Sequence, residues 1–372
     1  MLAFLGLFFL IYGGLHWYAL GKVWQALPHT LALGAGLTAW GVLMTGAPLL
    51  IWFLVKHEWH ATAAVVSWVA YCWMGFLFLF CCLALAVDAA AALAAALHLG
   101  WHLRGAAALM GVGLSALALA AYGFSEARDV RVERLTVSTP KLASGSLTIA
   151  QISDLHLGLM LGHRYLEHVV AVLRDARPDM IVATGDILDG QGDDLAPLAA
   201  QFRRLAPPDG MYAVLGNHEG FAGAENSVAF LKEAGFTVLR GEARAAGGIM
   251  LAGVDDPAVG RKARLPPADL RRELAAARQT TFIVLLKHQP VVDDELPFDL
   301  QLSGHTHGGQ LFPFGLFTLL VYHVRAGLYH YGGGRMLYIS RGTGTWGPPM
   351  RLLAPPEITL ISIRGGKEKG AP

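Results

Sequence analysis

Leu300-Gln301-Leu302-Ser303-Gly304-His305-Thr306-His307-Gly308-Gly309-Gln310 is the stretch on which the fold turns. Its first four residues read as a buried strand; the chain then breaks at a glycine and presents two histidines one residue apart. Toward the N-terminus the same arrangement recurs four times. Strand-like runs at 281–286, 211–215, 180–184 and 147–153 lead into Lys287-His288-Gln289-Pro290, Gly216-Asn217-His218-Glu219, Gly185-Asp186-Ile187-Leu188-Asp189 and Asp154-Leu155-His156. The polar groups therefore sit where strands end and loops begin, which is where a sheet can aim several side chains at one point and hold them rigid.

The residue types suit one kind of chemistry. Carboxylate, amide oxygen and imidazole, with no thiolate among them, are donors for hard or borderline divalent ions. Two such ions, roughly 3.5–4 Å apart, can share a carboxylate and a hydroxide and clamp the oxygens of a phosphoryl group during in-line displacement. Asp186, which ends the second strand between the other groups, is the natural bridge. In Asp154-x-His156 and His305-x-His307, alternation along an extended chain is expected to send both side chains of a pair to the same side.

The five blocks, in order, resemble the calcineurin-like metallophosphoesterase superfamily, whose pattern is DxH, GDxxD, GNH(D/E), a lone His and GHxH. The closing GHTHGGQ is similar to a branch often attached to bacterial membranes. The resemblance covers 146–363 and implies an α/β four-layer sandwich, two mixed sheets packed face to face with helices outside. It assigns one metal to Asp154, His156, Asp186 and His307, and the other to Asp186, Asn217, His288 and His305. His218 matches the histidine that orients the phosphate and protonates the leaving group, so His218 and Asp154 are the catalytic candidates. Manganese, iron or zinc would all suit such a donor set.

Other polar residues carry less weight. His163, His168, His323 and His330 lie outside the motifs and read as surface or packing residues. Glu219 is expected to orient or shield His218, and Asp189 to hold the metal loop by hydrogen bonds. Arg341, after the strand 336–339, can reach a substrate phosphate or close a salt bridge. Related protein phosphatases carry an arginine directly after the second Asp of GDxxD; here Gly190 follows Asp189, which favours a phosphodiester over a phosphoprotein.

Composition supplies the second feature. Hydrophobic residues make up 54% of the 372 and charged residues 15%, too apolar for an ordinary soluble chain of that length. The excess lies before Ser125. Runs at 2–20, 31–55, 61–87 and 106–124, about 19 to 27 residues each, are apolar all round and long enough to cross a hydrocarbon core of ~30 Å. The expected organisation is a helical transmembrane domain of about four helices over 1–125, a linker over 126–145, a catalytic domain over 146–363 and a disordered tail over 364–372, with 130–137 a candidate edge strand. Asp88, at the end of the third run, is expected at the membrane interface. The three cysteines, Cys72, Cys81 and Cys82, fall within that run.

With four spans both ends share one side of the membrane. Lys56, Arg128, Arg131, Arg134 and Lys141 on that side outnumber Lys22 and Arg104 opposite, which favours a cytoplasmic catalytic domain on a bacterial inner membrane. A net charge of +1 provides no strong attraction for nucleic acid. An apolar segment, 311–321, follows GHTHGGQ and is too short and too interrupted by Pro313 and Gly315 to span; it reads as a lid, an acyl-chain wall, an interfacial piece or ordinary core. With Arg261, Lys262 and Arg264 elsewhere in the domain, it suits a phosphoester with a lipid tail. The expected function is a membrane-anchored phosphodiesterase. The competing reading is a membrane sensor that binds a phosphorylated ligand without turnover.

Overall fold

Residues 2–100, 105–142, 145–189, 195–260 and 267–366 are described by the structure, a computed structural model. The chain divides into two units, Met1–Glu126 with Gly347–Leu352, and Ala127–Trp346 with Leu353–Pro372. In the first, all four apolar runs are helical: α1 (Leu2–Ala26), α2 (Leu31–Lys56), α3 (His60–Ala96) and α4 (Gly105–Glu126). Among the described residues, α2, α3 and α4 are long and apolar enough to cross a membrane. The expectation of about four spans is thus met by three; α1 carries Tyr12, His16, Trp17, Tyr18 and Lys22 along its second half, which lowers its hydropathy. Leu10, Val42, Val65 and Leu114 point outward and exposed, as side chains do when the surrounding solvent is lipid rather than water. Asp88 is not bare at the end of its run: Lys22 Nζ lies 2.5 Å from one carboxylate oxygen and the Tyr18 hydroxyl donates to the other at 2.7 Å.

The second unit is built from strands whose side chains alternate between two cores. One six-stranded sheet runs in the order β1 (Arg131–Thr139), β12 (Glu357–Gly365), β2 (Ser146–Ile152), β3 (Met180–Ala183), β4 (Met211–Ala213), β5 (Phe236–Val238). The other runs β10 (Gly327–Tyr331), β11 (Arg335–Ile339), β9 (Leu300–Ser303), β8 (Ile283–Lys287), β7 (Ile249–Val254), β6 (Glu242–Ala246). β2 to β5 are mutually parallel, as are β7, β8, β9 and β11, with antiparallel pairs β12·β2, β6·β7 and β10·β11, so both sheets are mixed.

Ile149, Met180 and Val182 of the first sheet meet Leu251, Val284 and Leu302 of the second in one buried cluster. Their neighbours Ala150, Ile181 and Ala183 point the other way, as period-two alternation requires. That outer face is covered by α5 (His163–Ala176), α6 (Ala196–Arg203) and α8 (Ala224–Glu233) through Leu166, Phe202 and Leu231. On the far side of the second sheet, Leu270 and Leu274 of α9 (Ala268–Ala277) pack on Ile283 and Leu285. The result is the expected helix, sheet, sheet, helix sandwich. Two short helices flank the motifs: α7 (Asn217–Ala222) begins within Gly216-Asn217-His218-Glu219, and α10 (Phe314–Tyr322) follows the closing block, 304–310.

Three boundaries differ from the sequence reading. The stretch read as a linker, 126–145, contains β1, an edge strand paired in parallel with β12 over its whole length; Leu135 and Val137 contribute to the inter-sheet core. Arg364 and Gly365, read as the start of a tail, belong to β12 and pair with Ser138 and Thr139, and residues 367–372 of that expected tail lie outside the described residues. The apolar segment 311–321 is largely the helix α10 rather than a loop, and of that helix only Gly315 is buried, so core packing does not account for it. Arg104, Gly190, Arg261, Lys262 and Arg264 lie outside the described residues.

Candidate metal centre

The five motifs meet at the carboxyl ends of parallel strands from both sheets, where an open α/β sheet binds ligands. β2 leads to Asp154 and His156, β3 to Asp186, β4 to Asn217 and His218, β8 to His288, and β9 to His305 and His307. Buried Gln151 ties the sheets together behind the site, its amide donating to Thr184 Oγ1 and to the carbonyl of Ser303, both at 3.0 Å.

Convergence is achieved by the backbone. Asp154, His156, Asp186, His305 and His307 all sit at positive φ, between 49° and 71°, a left-handed conformation that costs a non-glycine residue roughly 1–3 kcal/mol. Extended alternation is therefore not what aims the Asp154/His156 and His305/His307 pairs; successive left-handed turns do. Partner strands hold them there: Asp154 N–H donates to the Gly185 carbonyl and His156 N–H to the Asp186 carbonyl, both at 3.0 Å. Glycine precedes two motifs because the ligands close in. A Cβ on Gly304 would lie 2.0 Å from Ser153 Oγ and 2.3 Å from Asp154 Oδ2, and one on Gly216 would lie 2.2 Å from Asp186 Oδ1.

Two groups of motif donors result. Asp154, His156 and His307 bring ligand atoms within 4.8 Å of one another, as do Asp186, His288 and His305, and His156 meets Asp189 and His218 within the same distance in a third set. His156 Nε2 faces His307 Nε2 at 3.1 Å, and His288 Nε2 faces His305 Nδ1 at 3.0 Å. Asn217 Oδ1 lies 3.1 Å from His288 Nε2, which adds it to the second group. Asp186 stands between the groups, 3.2 Å from His288 Nε2 and 3.9 Å from His156 Nε2. His288 Nδ1 is 2.8 Å from the Thr184 carbonyl; it donates there, which leaves Nε2 pointed at the cluster. Imidazole nitrogens facing each other across about 3 Å beside buried carboxylates are a donor set suited to divalent ions, and these residues fit such a pair.

Electrostatics in the ion-free chain tell the same story. Burial disfavours the charged form of Asp186, yet the imidazoles of His288, His156 and His218 outweigh it and hold the carboxyl well below the usual range. Burial lowers His288, but Asp186 in contact pushes it up to about 10. Burial and the His288 charge push His305 down to about 4. The carboxylates thus demand positive charge, and a proton on His288 supplies it where a cation would.

His218 lies outside both groups. Its Nδ1 is 2.7 Å from Asp189 Oδ1, and its ring stands edge-on to His156 at 4.6 Å between centroids. Burial works against its charge, while Asp189 and Asp186 together raise it above the ordinary histidine value. Asp189 also lies 3.4 Å from His156 Nδ1, so it holds the His218 ring as well as the loop.

Glu219 does something the sequence reading did not foresee. It is fully buried and accepts the N–H groups of Asp186, Ile187, Leu188 and Gly216 at 2.7–3.0 Å. The Gly216 bond is the capping half expected of a Glu at the third position of α7; the other three staple the Asp186 loop to the Asn217 loop. Glu219→Ala is expected to orphan those donors and cost at least ~3 kcal/mol, roughly 6–12 °C in Tm for a domain of this size. Differential scanning calorimetry of the ion-free protein checks this; an unchanged Tm would refute the staple.

Arg341 takes the ion-pair alternative. Its guanidinium is held by Glu133, by Glu357 at 2.7 Å and by the Pro355 carbonyl at 3.1 Å. His163, His168, His323 and His330 are exposed. Two residues at the rim escaped the sequence reading. Phe221 and Trp346, both exposed, stand edge-on to His218 at 5.8 and 5.7 Å. The amide of Gln310, the last residue of GHTHGGQ, donates to the Trp346 carbonyl and accepts its N–H, at 3.0 and 2.9 Å. Phe221, two residues beyond Glu219, was within reach of motif reading; nothing local in Gly344-Thr345-Trp346-Gly347 marks the tryptophan.

Comparison with known proteins places the chain in a family. The model of the calcineurin-like phosphoesterase family matches residues 147–309. An uncharacterized metallophosphoesterase of Aquifex aeolicus is 41% identical over 255 residues, 67% of this chain and 98% of that protein. One from Campylobacter jejuni is 35% identical over 240 residues, 63% of this chain and 64% of that protein. A Danio rerio transmembrane protein with metallophosphoesterase domain is 33% identical over 265 residues, 66% of this chain and 60% of that protein.

Proposed function

The chain belongs to the calcineurin-like phosphoesterase family, and on that premise we propose that it is a membrane-anchored phosphodiesterase with a two-ion centre, acting on a lipid-linked phosphoester. The observation that carries the reading is the meeting of Asp154, His156 and His307 with Asp186, His288 and His305 at one set of strand ends, with His218 beside them. Divalent ions held there supply a water of lowered pKa and a clamp on phosphoryl oxygens. Manganese, iron and zinc all suit these donors.

The chain's own residues do the rest. Asp186 ties the two donor groups together and accepts the His218 N–H at 2.9 Å. Asp189 accepts the Nδ1 N–H of His218 and, with Asp186, favours the doubly protonated ring, so that the imidazolium can give its Nε2 proton to the departing oxygen. Phe221 and Trp346 give the rim beside His218 an apolar lining, suited to the hydrophobic part of an ester. On the membrane side of the proposal, α2, α3 and α4 anchor the chain in the bacterial inner membrane.

The test is hydrolysis of a chromogenic phosphodiester, its monoester and a long-chain phospholipid by detergent-purified full-length protein, stripped of metal and resupplied with Mn, Zn or Mg. Turnover is expected only with metal, and with the diesters preferred. No turnover of any of the three with two ions bound per chain would sink the enzyme reading in favour of a binding protein.

A further inference from the structure

We propose that α10 is an interfacial helix, with one face seated in the acyl region of a phospholipid bilayer. Phe314, Leu316, Phe317, Leu320 and Val321 are exposed, Leu320 at 73% and Phe317 at 57%. At about 100° per residue these five fall in a single arc of about 160°. Gly315, Thr318, Leu319 and Tyr322 face the opposite side and are buried or half-buried. The helix thus has an inner face that meets the protein and an outer face with no polar side chain on it. Phe312, just before the helix, extends the exposed surface.

A bilayer is the occupant that the chain itself argues for. The same chain carries three helices of bilayer-crossing length and composition, so the chain that bears α10 is itself tied to lipid. The charge pattern also fits: no Asp or Glu occurs from 300 to 356, and exposed His323 and Arg325 follow α10 directly. An apolar face bordered by basic groups is what binds an anionic lipid interface. A water-facing helix would be expected to place at least one charge on that arc.

The position of α10 connects lipid contact to the metal centre. A Cβ on Gly309 would lie 2.1 Å from Gly315 Cα, so the start of the helix lies backbone to backbone against the GHTHGGQ loop. At its other end the Tyr322 ring stands edge-on to His305 at 5.6 Å. A helix fixed in this way at two points of the loop that carries His305 and His307 would hold the donor cluster at the depth of lipid headgroups.

The experiment uses the full-length protein in vesicles of phosphatidylcholine and phosphatidylglycerol that contain a phosphatidylcholine with a diazirine at the end of one acyl chain. After illumination, adducts are mapped by peptide mass spectrometry. Peptides spanning 312–321 are expected to carry adducts at a level comparable to α2, α3 and α4, and those spanning α5 none above background. Phe317→Ser with Leu320→Ser is expected to lower the 312–321 adducts by about fivefold or more without changing those on α2–α4. Adducts confined to α2–α4, or cross-linked pairs of chains through α10 in place of adducts, would overturn the proposal. The inference rests on the membrane-anchored reading, and adducts on α2–α4 report that reading separately; turnover is not needed for either.

Discussion

Asp186→Asn is expected to leave a folded protein that holds fewer than two ions and hydrolyses its substrate about a thousand-fold more slowly or worse. The substitution preserves volume and the acceptor for the His218 N–H, found at 2.9 Å. It removes the charge that stands between His288 and His156, at 3.2 and 3.9 Å, and turns a pair of N–H donors toward imidazole nitrogens that should coordinate. Because that carboxylate is the group common to both donor clusters, its loss weakens both. Metal content by mass spectrometry, with the Tm as a check on folding, reads the effect. Full occupancy with unimpaired turnover would show that the two groups do not share this residue.

His218→Asn is expected to behave differently, keeping both ions while slowing turnover by roughly 10²–10⁴ for an alkoxide leaving group. The ring belongs to neither donor group, and its Nδ1 is already committed to Asp189 at 2.7 Å. If its task is to protonate the leaving oxygen, a nitrophenolate, which departs without a proton, should lose far less. The ratio of the two losses is therefore the measurement, since a merely structural histidine would slow both alike. Asp189→Asn should reproduce the pattern in weaker form, by about 10–100-fold, through a weakened hold on the protonated ring.

Much of the site was legible because its chemistry is written in short local motifs. Residue type and position after a strand singled out the five motifs, the resemblance assigned ligand roles to Asp154, His156, Asp186, Asn217, His288, His305 and His307, and the strands came out within a few residues. The means of convergence was not legible. Left-handed φ at Asp154 or His305 is imposed by neighbouring strands and by the space that Gly304 leaves open, and nothing in the identity of an Asp or a His announces it. Glu219 was misread for a similar reason: three of the four N–H groups it accepts come from 186–188, a loop more than thirty residues away.

The misreading of 311–321 has another cause. Pro313 and Gly315 were taken as breaks, yet Pro313 stands at the N-cap of α10, where its missing N–H costs nothing and its fixed φ suits a helix start. Arg364 was assigned to a tail because Gly and Lys follow it, whereas two neighbouring strands claim it for β12. Edge and end residues are decided by their partners, and a partner distant in sequence leaves no local trace.

By itself, then, the sequence determined the two-part organisation, the strand-and-loop rhythm of the catalytic unit, the ligand set and the membrane-length helices, because each depends on residue type at a spacing fixed by local geometry. Tertiary structure alone decided how the donor groups converge, which acid staples the loops, that Arg341 is consumed by Glu133 and Glu357, and that α10 keeps an apolar face outward. Those outcomes depend on what lies within a few ångströms across the fold, and sequence distance does not encode that.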